Sequence, residues 1–104
     1  MAKREIVFDT TEIVAVVPVK GEFMKAAPQI MHITYDQFTK ITFEPCTEKK
    51  LFKSVPSEQI VLRIKKRMDP IVYTKMKHKE YFEEYKESFR TFAQKNRIDL
   101  VDET

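Results

Sequence analysis

Residues 81–96 read YFEEYKESFRTFAQKN and contain the clearest periodicity in the chain. The aromatic residues here recur at spacings of one, three, four and three, namely Tyr81, Phe82, Tyr85, Phe89 and Phe92. These spacings place them on one face of an α-helix. Glutamates crowd the first half of the stretch and basic residues close it, a polarity that suits the helix dipole. The pattern predicts a helix over residues 78–96 that stops at Asn96 and buries its aromatic face in a core.

The sequence before this helix contains short runs rich in β-branched and aromatic residues, several of them alternating with polar ones, as β-strands do. The predicted strands cover residues 5–9, 13–19, 30–35, 38–44, 59–65 and 71–75, with a further short strand at 51–53. In residues 59–65 we expect the even-numbered side chains to face the core and the odd-numbered ones, including Val61, to face outward. Pro45 is expected to end residues 38–44, because proline has no N–H for the ladder.

Polar and charged segments connect these strands. Residues 9–12 form a short polar link, which predicts an antiparallel hairpin between the first two strands. Residues 20–29 contain the only glycine, Gly21, and are expected to form a connecting loop. Residues 47–50 and 66–70 are expected to be charged turns.

This order of elements predicts an α+β fold. Uninterrupted strands favour antiparallel pairing, because parallel pairing needs helical crossovers. The helix then covers one face or one end of the sheet. We predict a single domain over residues 1–104, a bent antiparallel sheet or partly open barrel of about six to seven strands with one C-terminal amphipathic helix. In the tail, Ile98 and Leu100 are expected to add a strand or to dock on a neighbouring copy.

The same order resembles the pleckstrin-homology-like (PH-like) fold in its bacterial form. The segment ITYDQFTKITF at residues 33–43 is similar to the bent middle strand of that family. Residues 59–65, residues 70–74 and the helix up to Asn96 look like its final hairpin and helix. The resemblance covers residues 5–97. It implies a strongly bent sheet with the helix plugging one open end, in a non-enzymatic domain that binds lipid head groups, peptides or copies of itself.

The first predicted hairpin departs from the phosphoinositide-binding members of that family. Those members carry a basic cluster on this hairpin, whereas here it turns through Asp9-Thr10-Thr11-Glu12, which is acidic. The resemblance therefore does not imply binding of inositol phosphates at this position.

Cysteine content and hydropathy indicate where the protein works. Cys46 is the only cysteine, so no intramolecular disulfide can form and a reducing compartment is expected. The longest apolar run, residues 13–17, falls far short of the roughly 20 residues needed to span a bilayer. Residues 1–5 are charged with no apolar region behind them, which predicts no secretory signal. We expect a cytoplasmic protein.

Residue types that carry catalysis are scattered along the chain. His32, His78 and Cys46 lack the close ligand spacing of a zinc site. Cys46 has no neighbouring histidine in sequence to help form a thiolate. A single glycine excludes glycine-rich phosphate loops, and the helix glutamates have the spacing of a solvated face. The sequence predicts a protein that is not an enzyme and that holds no metal or cofactor.

One stretch is strongly basic. The candidate anion-binding or partner-binding patch contains Lys49, Lys50, Lys53, Arg63, Lys65, Lys66 and Arg67. We expect its two basic turns to face one end of the sheet and to attract phosphates or acidic peptides. The alternative is that these side chains only solvate turns and protect strand edges from aggregation.

Two functional hypotheses follow. The first is a non-enzymatic interaction or scaffold module that binds a protein partner, or associates with copies of itself, by strand addition at a sheet edge. The second is electrostatic binding of an anionic membrane surface or a nucleic acid through residues 49–67.

Overall fold

The computed structural model describes residues 4–17 and 29–104. In chain order its elements are β1 (Ile6–Phe8), β2 (Glu12–Val17), β3 (Gln29–Thr34), a 3-10 turn (Tyr35–Gln37), β4 (Phe38–Lys50), β5 (Lys53–Ile64), β6 (Ile71–Thr74), α1 (Phe82–Asn96) and β7 (Leu100–Asp102). The chain is α+β, with seven strands in two sheets and one helix near the C-terminus within these ranges, and the strands do not close into a barrel. The expected loop at residues 20–29, except Gln29, and the predicted strand end at residues 18–19 lie outside the described residues.

The first sheet has the order β1-β2-β3 and is antiparallel throughout. The hairpin predicted around residues 9–12 is confirmed, since the backbone N–H of Asp9 donates to the carbonyl of Glu12 at 2.8 Å. Ile13 of β2 pairs with Phe8 of β1 and with Ile33 of β3. Ile13 and Ile33 are both buried, so one face of this sheet belongs to the core.

The second sheet has the order β6-β5-β4-β7. The strands β4, β5 and β6 are antiparallel neighbours, but β7 runs parallel to β4 over Ile41–Phe43. The expectation of a wholly antiparallel sheet is therefore wrong at this edge, because α1 serves as the crossover that parallel pairing requires. The tail adds the strand β7, which begins at Leu100. Of the two expectations for the tail, a new strand or docking on a neighbouring copy, the first is confirmed.

The hairpin between β4 and β5 is much longer than predicted. Pro45 does not end a strand and residues 47–50 are not a turn, since β4 continues to Lys50. The N–H of Ile41 donates to Asp99 and the carbonyl of Phe43 accepts from Glu103, so odd-numbered backbone groups of β4 point away from β5. The nitrogen of Pro45 lies on that same side, beyond the end of β7, where no ladder bond is lost.

Four of the five predicted aromatic residues form the centre of the core, while Tyr81 precedes α1 and packs partly buried against it. Phe82, Tyr85, Phe89 and Phe92 are all at most 3% exposed. The ring of Phe89 meets Phe8 of β1 edge to face at 4.7 Å, and Phe92 meets Phe38 of β4 at 5.6 Å. One helix face thus packs against both sheets, with about 1.5–3 kcal/mol of stabilisation for each large apolar side chain buried.

The boundaries of α1 differ from the prediction. The helix begins at Phe82 and not at residue 78, because residues 78–81 form a turn in which the N–H of Tyr81 donates to the carbonyl of His78 at 3.1 Å. The left-handed residue after the helix is Arg97, with φ 56°, and not Asn96. Asn96 instead donates its side-chain amide to the carbonyl of Thr10 at 2.9 Å, which ties the helix end to the first hairpin.

The central strand β5 is buried on both faces at residues 60–62, near its C-terminal end. Ile60, Leu62 and Ile64 face the core as predicted. Val61 is expected to face solvent but is only 4% exposed, so that expectation is wrong. It is paired with Thr42 of β4 on one side and Val72 of β6 on the other. A strand with a neighbour on each side shields its side chains even on the outer face.

Two charged side chains connect α1 to the second sheet. The ammonium of Lys86 is almost fully buried and contacts Glu58 Oε1 at 2.9 Å and Thr104 Oγ1 at 3.0 Å. The guanidinium of Arg90 contacts Asp102 of β7 at 2.7 Å. Both cations lie over the ring of Phe43, at 5.5 and 5.3 Å from its centre. These contacts fix the edge strand β7 and the helix on the same side of β4.

His78 joins the start of the chain to the turn before α1. Its Nδ1 lies 2.8 Å from Glu5 Oε2, and its side chain is 8% exposed. Its ring also meets Tyr73 edge to face at 5.2 Å. Burial lowers the pKa of His78, and the Glu5 carboxylate opposes part of that decrease. The imidazole is therefore neutral in the folded protein at pH 7 and donates a hydrogen bond to Glu5.

We expect this histidine to make the fold less stable in mild acid. Because its pKa is lower in the folded than in the unfolded chain, the unfolded chain takes up the proton first as pH falls below about 6.5. The stabilisation is full above that pH and is lost on acidification. In urea unfolding, wild type should lose up to about 1 kcal/mol more between pH 7.5 and 5.5 than His78→Gln, which keeps a donor but does not titrate.

The exposed His32 on β3 provides the matched control, His32→Gln. If wild type and His78→Gln lose the same free energy of unfolding over this pH range, His78 is not the buried neutral group described above.

Candidate functional site

The seven basic residues predicted as one patch lie in three separate places. Lys49, Lys50 and Lys53 surround the turn between β4 and β5, Arg63 lies on the outer face of β5, and Lys65, Lys66 and Arg67 form the turn after β5. The two turns are at opposite ends of β5, which is 12 residues long and spans up to roughly 40 Å if straight. The expectation that they face one end of the sheet is wrong, because the strand between them is continuous.

The β4–β5 hairpin extends beyond the rest of its sheet. β6 pairs with β5 only at residues 59–62, and β7 pairs with β4 only at Ile41–Phe43. Residues 45–58 therefore form a two-stranded projection, which we call the arm. Its six residue pairs, from Pro45 with Glu58 to Lys50 with Lys53, correspond to a length of roughly 20 Å.

The end of the arm combines apolar and cationic side chains, and we call residues 49–53 the arm tip. Leu51 is 91% exposed and Phe52 is 103% exposed, so neither contributes to the core. Lys49, Lys50 and Lys53 are exposed around them, and none forms an ion pair with a carboxylate in the described parts of the chain. The arm tip thus has two exposed apolar side chains flanked by three lysines whose charge no carboxylate in the described residues neutralises.

The residue type at position 51 is poorly suited to the backbone conformation of the turn. Leu51 adopts φ 57°, a left-handed conformation that costs a residue with a Cβ roughly 1–2 kcal/mol. Two-residue hairpin turns favour Asn-Gly or Gly at such positions. Neither burial nor turn propensity explains Leu51 and Phe52. Side chains that break local folding rules without a packing role are commonly found at functional sites.

The second basic turn has a different character. Met68 is 98% exposed there, but it is the single large apolar side chain at that turn. Arg67 is held by the fold, because its Nε donates to the carbonyl of Asp69 at 3.1 Å and its NH1 lies 3.6 Å from the sulfur of Met31 on β3. The aspartate side chain also places a negative charge in this turn. Lys65 and Lys66 form no ion pair within the described residues, so this turn differs from the arm tip mainly in its single exposed apolar side chain and in the aspartate that it contains.

The cysteine and the buried histidine are in environments that do not favour reactivity. Burial raises the pKa of the Cys46 thiol, and the nearby Glu48 raises it further, so the thiol is protonated at neutral pH. The imidazole of His78 is within hydrogen-bond distance of the Glu5 carboxylate. Across residues 4–17 and 29–104, no three His, Cys, Asp or Glu side chains are grouped as metal ligands would be. No helix in those ranges is long and apolar enough to cross a membrane.

Leu51 and Phe52 are the candidate functional residues that sequence reasoning missed. Residues 51–53 are predicted as a strand, because no Gly, Asn or Asp marks a turn there. One signal was available in the sequence. Residues 44–50 and 53–59 flank Leu51 and Phe52, have equal length and pair as the two strands of one hairpin.

Replacing the tip residues with favourable turn residues should stabilise the protein. We expect the variant Leu51→Asn/Phe52→Gly to gain up to about 1 kcal/mol in the free energy of unfolding, because Asn tolerates the left-handed backbone of residue 51 and no core contact is removed. Urea denaturation followed by circular dichroism measures this change. A loss of stability would mean that the two side chains contribute to folding. Lys66→Asn, at φ 64° in the other turn, provides a comparison without an apolar side chain.

No family model, curated protein or solved structure matches this sequence. The resemblance to the PH-like family therefore stays a prediction, and the arguments on function below use the geometry of the chain itself.

Proposed function

We propose that this protein is a non-enzymatic binding module that docks on an anionic membrane surface through the arm tip. The observation that carries the proposal is the near-complete exposure of Leu51 and Phe52 at a turn flanked by three lysines without ion pairs in the described residues. Such a tip matches a lipid interface, where apolar side chains enter the acyl boundary and lysines remain at the level of the anionic head groups.

Rough magnitudes support a reversible interaction. Burial of one leucine and one phenylalanine is worth about 4 kcal/mol. Each lysine near an anionic surface adds about 1 kcal/mol. The sum corresponds to a dissociation constant on the order of 10 μM, before ordering costs. The module would therefore bind weakly, with a strong dependence on salt.

A PH-like arrangement belongs to the same proposal. Six strands before a helix whose aromatic face packs against two sheets support it. The parallel strand β7 after the helix is an addition to the pattern that the resemblance implies. The acidic turn at residues 9–12 favours a binding surface away from the first hairpin, and the arm tip is such a surface.

Vesicle sedimentation tests the docking surface. Wild type should bind vesicles made of equal parts phosphatidylglycerol and phosphatidylcholine, and should not bind pure phosphatidylcholine. We expect Leu51→Asn/Phe52→Gly and Lys49→Gln/Lys53→Gln each to weaken binding at least about tenfold, because the first removes the apolar contribution and the second removes two of the three lysines. Higher salt should weaken binding of the wild type.

The matched controls change the other basic turn. Met68→Ser and Lys65→Gln/Lys66→Gln remove one exposed apolar side chain and two cations there, and should leave vesicle binding unchanged. Equal losses in these controls would overturn the assignment to the arm tip. Binding to DNA or RNA without binding to vesicles would overturn the membrane proposal in favour of the nucleic-acid alternative.

A second candidate function, self-association by strand addition, is favoured by the edge strand β3. Within residues 4–17 and 29–104, β3 pairs with β2 alone. Its six residues, QIMHIT, include no Lys, Arg, Asp, Glu or Pro, and Ile30 is 65% exposed. Uncharged edge strands of this kind are templates for pairing with another strand. We propose that two copies pair through β3.

Light scattering after size-exclusion chromatography tests this pairing. Wild type should form dimers at high concentration and Ile30→Lys should be monomeric, because a charge on the edge opposes strand addition. Val7→Lys, on the edge strand β1 of the same sheet, is the matched control and should still dimerise. A wild type that stays monomeric at high concentration would contradict the second candidate.

A further inference from the structure

A groove lies between the arm and the segment that follows β6. Its volume is about 700 Å³, which is within the usual range for small-molecule sites. The residues that line it are Lys50, Val55, Pro56, Ser57, Glu58, Lys75, Met76 and Lys79. We call it the arm groove. It has no role in the core, and it shares Lys50 with the arm tip but contains neither Leu51 nor Phe52.

Backbone contacts hold the two walls of the arm groove in place. The N–H of Lys75 donates to the carbonyl of Glu58 at 2.9 Å, which extends the β5–β6 ladder by one residue. The N–H of Met76 donates to Glu48 Oε2 at 3.2 Å. The N–H of His78 then donates to the carbonyl of Thr74 at 3.1 Å and turns the chain. The groove is therefore formed before any ligand binds, which lowers the cost of binding.

The lining of the arm groove is cationic. Three lysines, Lys50, Lys75 and Lys79, face one carboxylate, Glu58. That carboxylate is neutralised by the buried ammonium of Lys86 at 2.9 Å and by Lys75 at 3.4 Å, and these contacts lower its pKa.

Two of the three lysines in the lining are free of ion pairs. Lys75 also lies 3.6 Å from Glu83, so its charge is already shared between two carboxylates. Lys50 and Lys79 form no ion pair with any carboxylate of the described ranges. The carboxylate of Glu48 contacts the groove residues Ser57 and Met76, and these neutral donors leave its negative charge in place. The ammonium groups of Lys50 and Lys79 outnumber this carboxylate and favour an anion.

One wall of the arm groove is apolar. Val55 and Pro56 come from β5, and Met76, which is 37% exposed, comes from the segment opposite. An inorganic anion would leave this wall in contact with water. A ligand with an anionic group and an adjoining apolar part uses both features.

The position of the groove along the arm identifies this ligand further. Val55 is three residues from Phe52, a separation of roughly 10 Å along an extended strand. Amphipathic elements at a membrane bury their apolar side chains about 5–10 Å into the boundary between head groups and acyl chains. When Phe52 is inserted, the arm groove therefore lies at the level of the lipid head groups.

We propose that the arm groove binds the phosphate group of one anionic phospholipid molecule. Lys50 and Lys79 contact the phosphate, and Val55, Pro56 and Met76 contact the glycerol and the first acyl carbons. The proposal rests on the proposed membrane docking and adds a specific lipid site to it. The arm tip provides insertion and charge attraction, while the groove selects a phosphate with an attached apolar chain.

Monomeric short-chain lipid separates the two sites experimentally. Dihexanoyl phosphatidylglycerol below its critical micelle concentration forms no bilayer, so the arm tip has nothing to insert into. In NMR titrations we expect saturable shifts of the methyl groups of Val55 and Met76. Lys79→Gln should weaken this binding at least about fivefold, since one charge-assisted phosphate contact is lost.

Lys77→Gln is the matched control, because it removes the same charge two residues away from a side chain that does not line the groove. It should bind the short-chain lipid as wild type does. Dihexanoyl phosphatidylcholine, which has no net charge, and inorganic phosphate, which has no apolar part, should both bind more weakly than the anionic lipid.

The outcomes for the two sites are distinguishable. No saturable shifts with monomeric lipid, or equal effects of Lys77→Gln and Lys79→Gln, would overturn the lipid site while vesicle binding through Leu51 and Phe52 could still stand. Equal affinity for inorganic phosphate would overturn the choice of a lipid. Saturable binding by the variant Leu51→Asn/Phe52→Gly, together with its loss of vesicle binding, would support both sites as separate.

Discussion

Packing of the aromatic face of α1 against both sheets is the contact on which the rest of this structure depends. Phe89 meets Phe8 of the first sheet and Phe92 meets Phe38 of the second. A three-stranded sheet with one apolar face has little stability by itself and needs a covering element. The helix covers both sheets at once. The hydroxyl of Tyr73 also donates to the carbonyl of Val16 at 2.9 Å, which joins the sheets directly.

The cations in the described part of the chain fall into two groups, those paired with carboxylates near the helix and those without ion pairs at the arm tip. Cations next to the helix are paired, since Lys86 binds Glu58, Arg90 binds Asp102 and Arg4 binds Glu84. The lysines at the arm tip have no such partners in the parts of the chain described. Paired charges orient the helix and β7, whereas unpaired charges create a field that reaches into solvent. The net charge of +3 is therefore less informative than the location of the unpaired lysines.

The arm exists because β4 and β5 continue after their neighbours end. Only the part of this hairpin next to the helix contacts the core, so the outer residues contribute no packing to it. Leu51 at its end costs conformational energy, and neither Leu51 nor Phe52 gains burial. A membrane interface that buries both side chains would offset that cost, and the arm groove behind them would receive a lipid head group. Both lie on the same hairpin, so the two-stranded ladder would place the tip and the groove on one membrane-facing element.

The sequence by itself determined the helix with its buried aromatic face, the first hairpin and the inward residues of β5, because these follow from local periodicity. It did not determine the turn at Leu51, since no turn residue marks it, nor the passage of a strand through Pro45, which depends on where β7 ends. It grouped seven basic residues by proximity in the chain. Only the tertiary structure separated them. The continuous 12-residue strand β5 lies between the two basic turns and places them at opposite ends of the sheet.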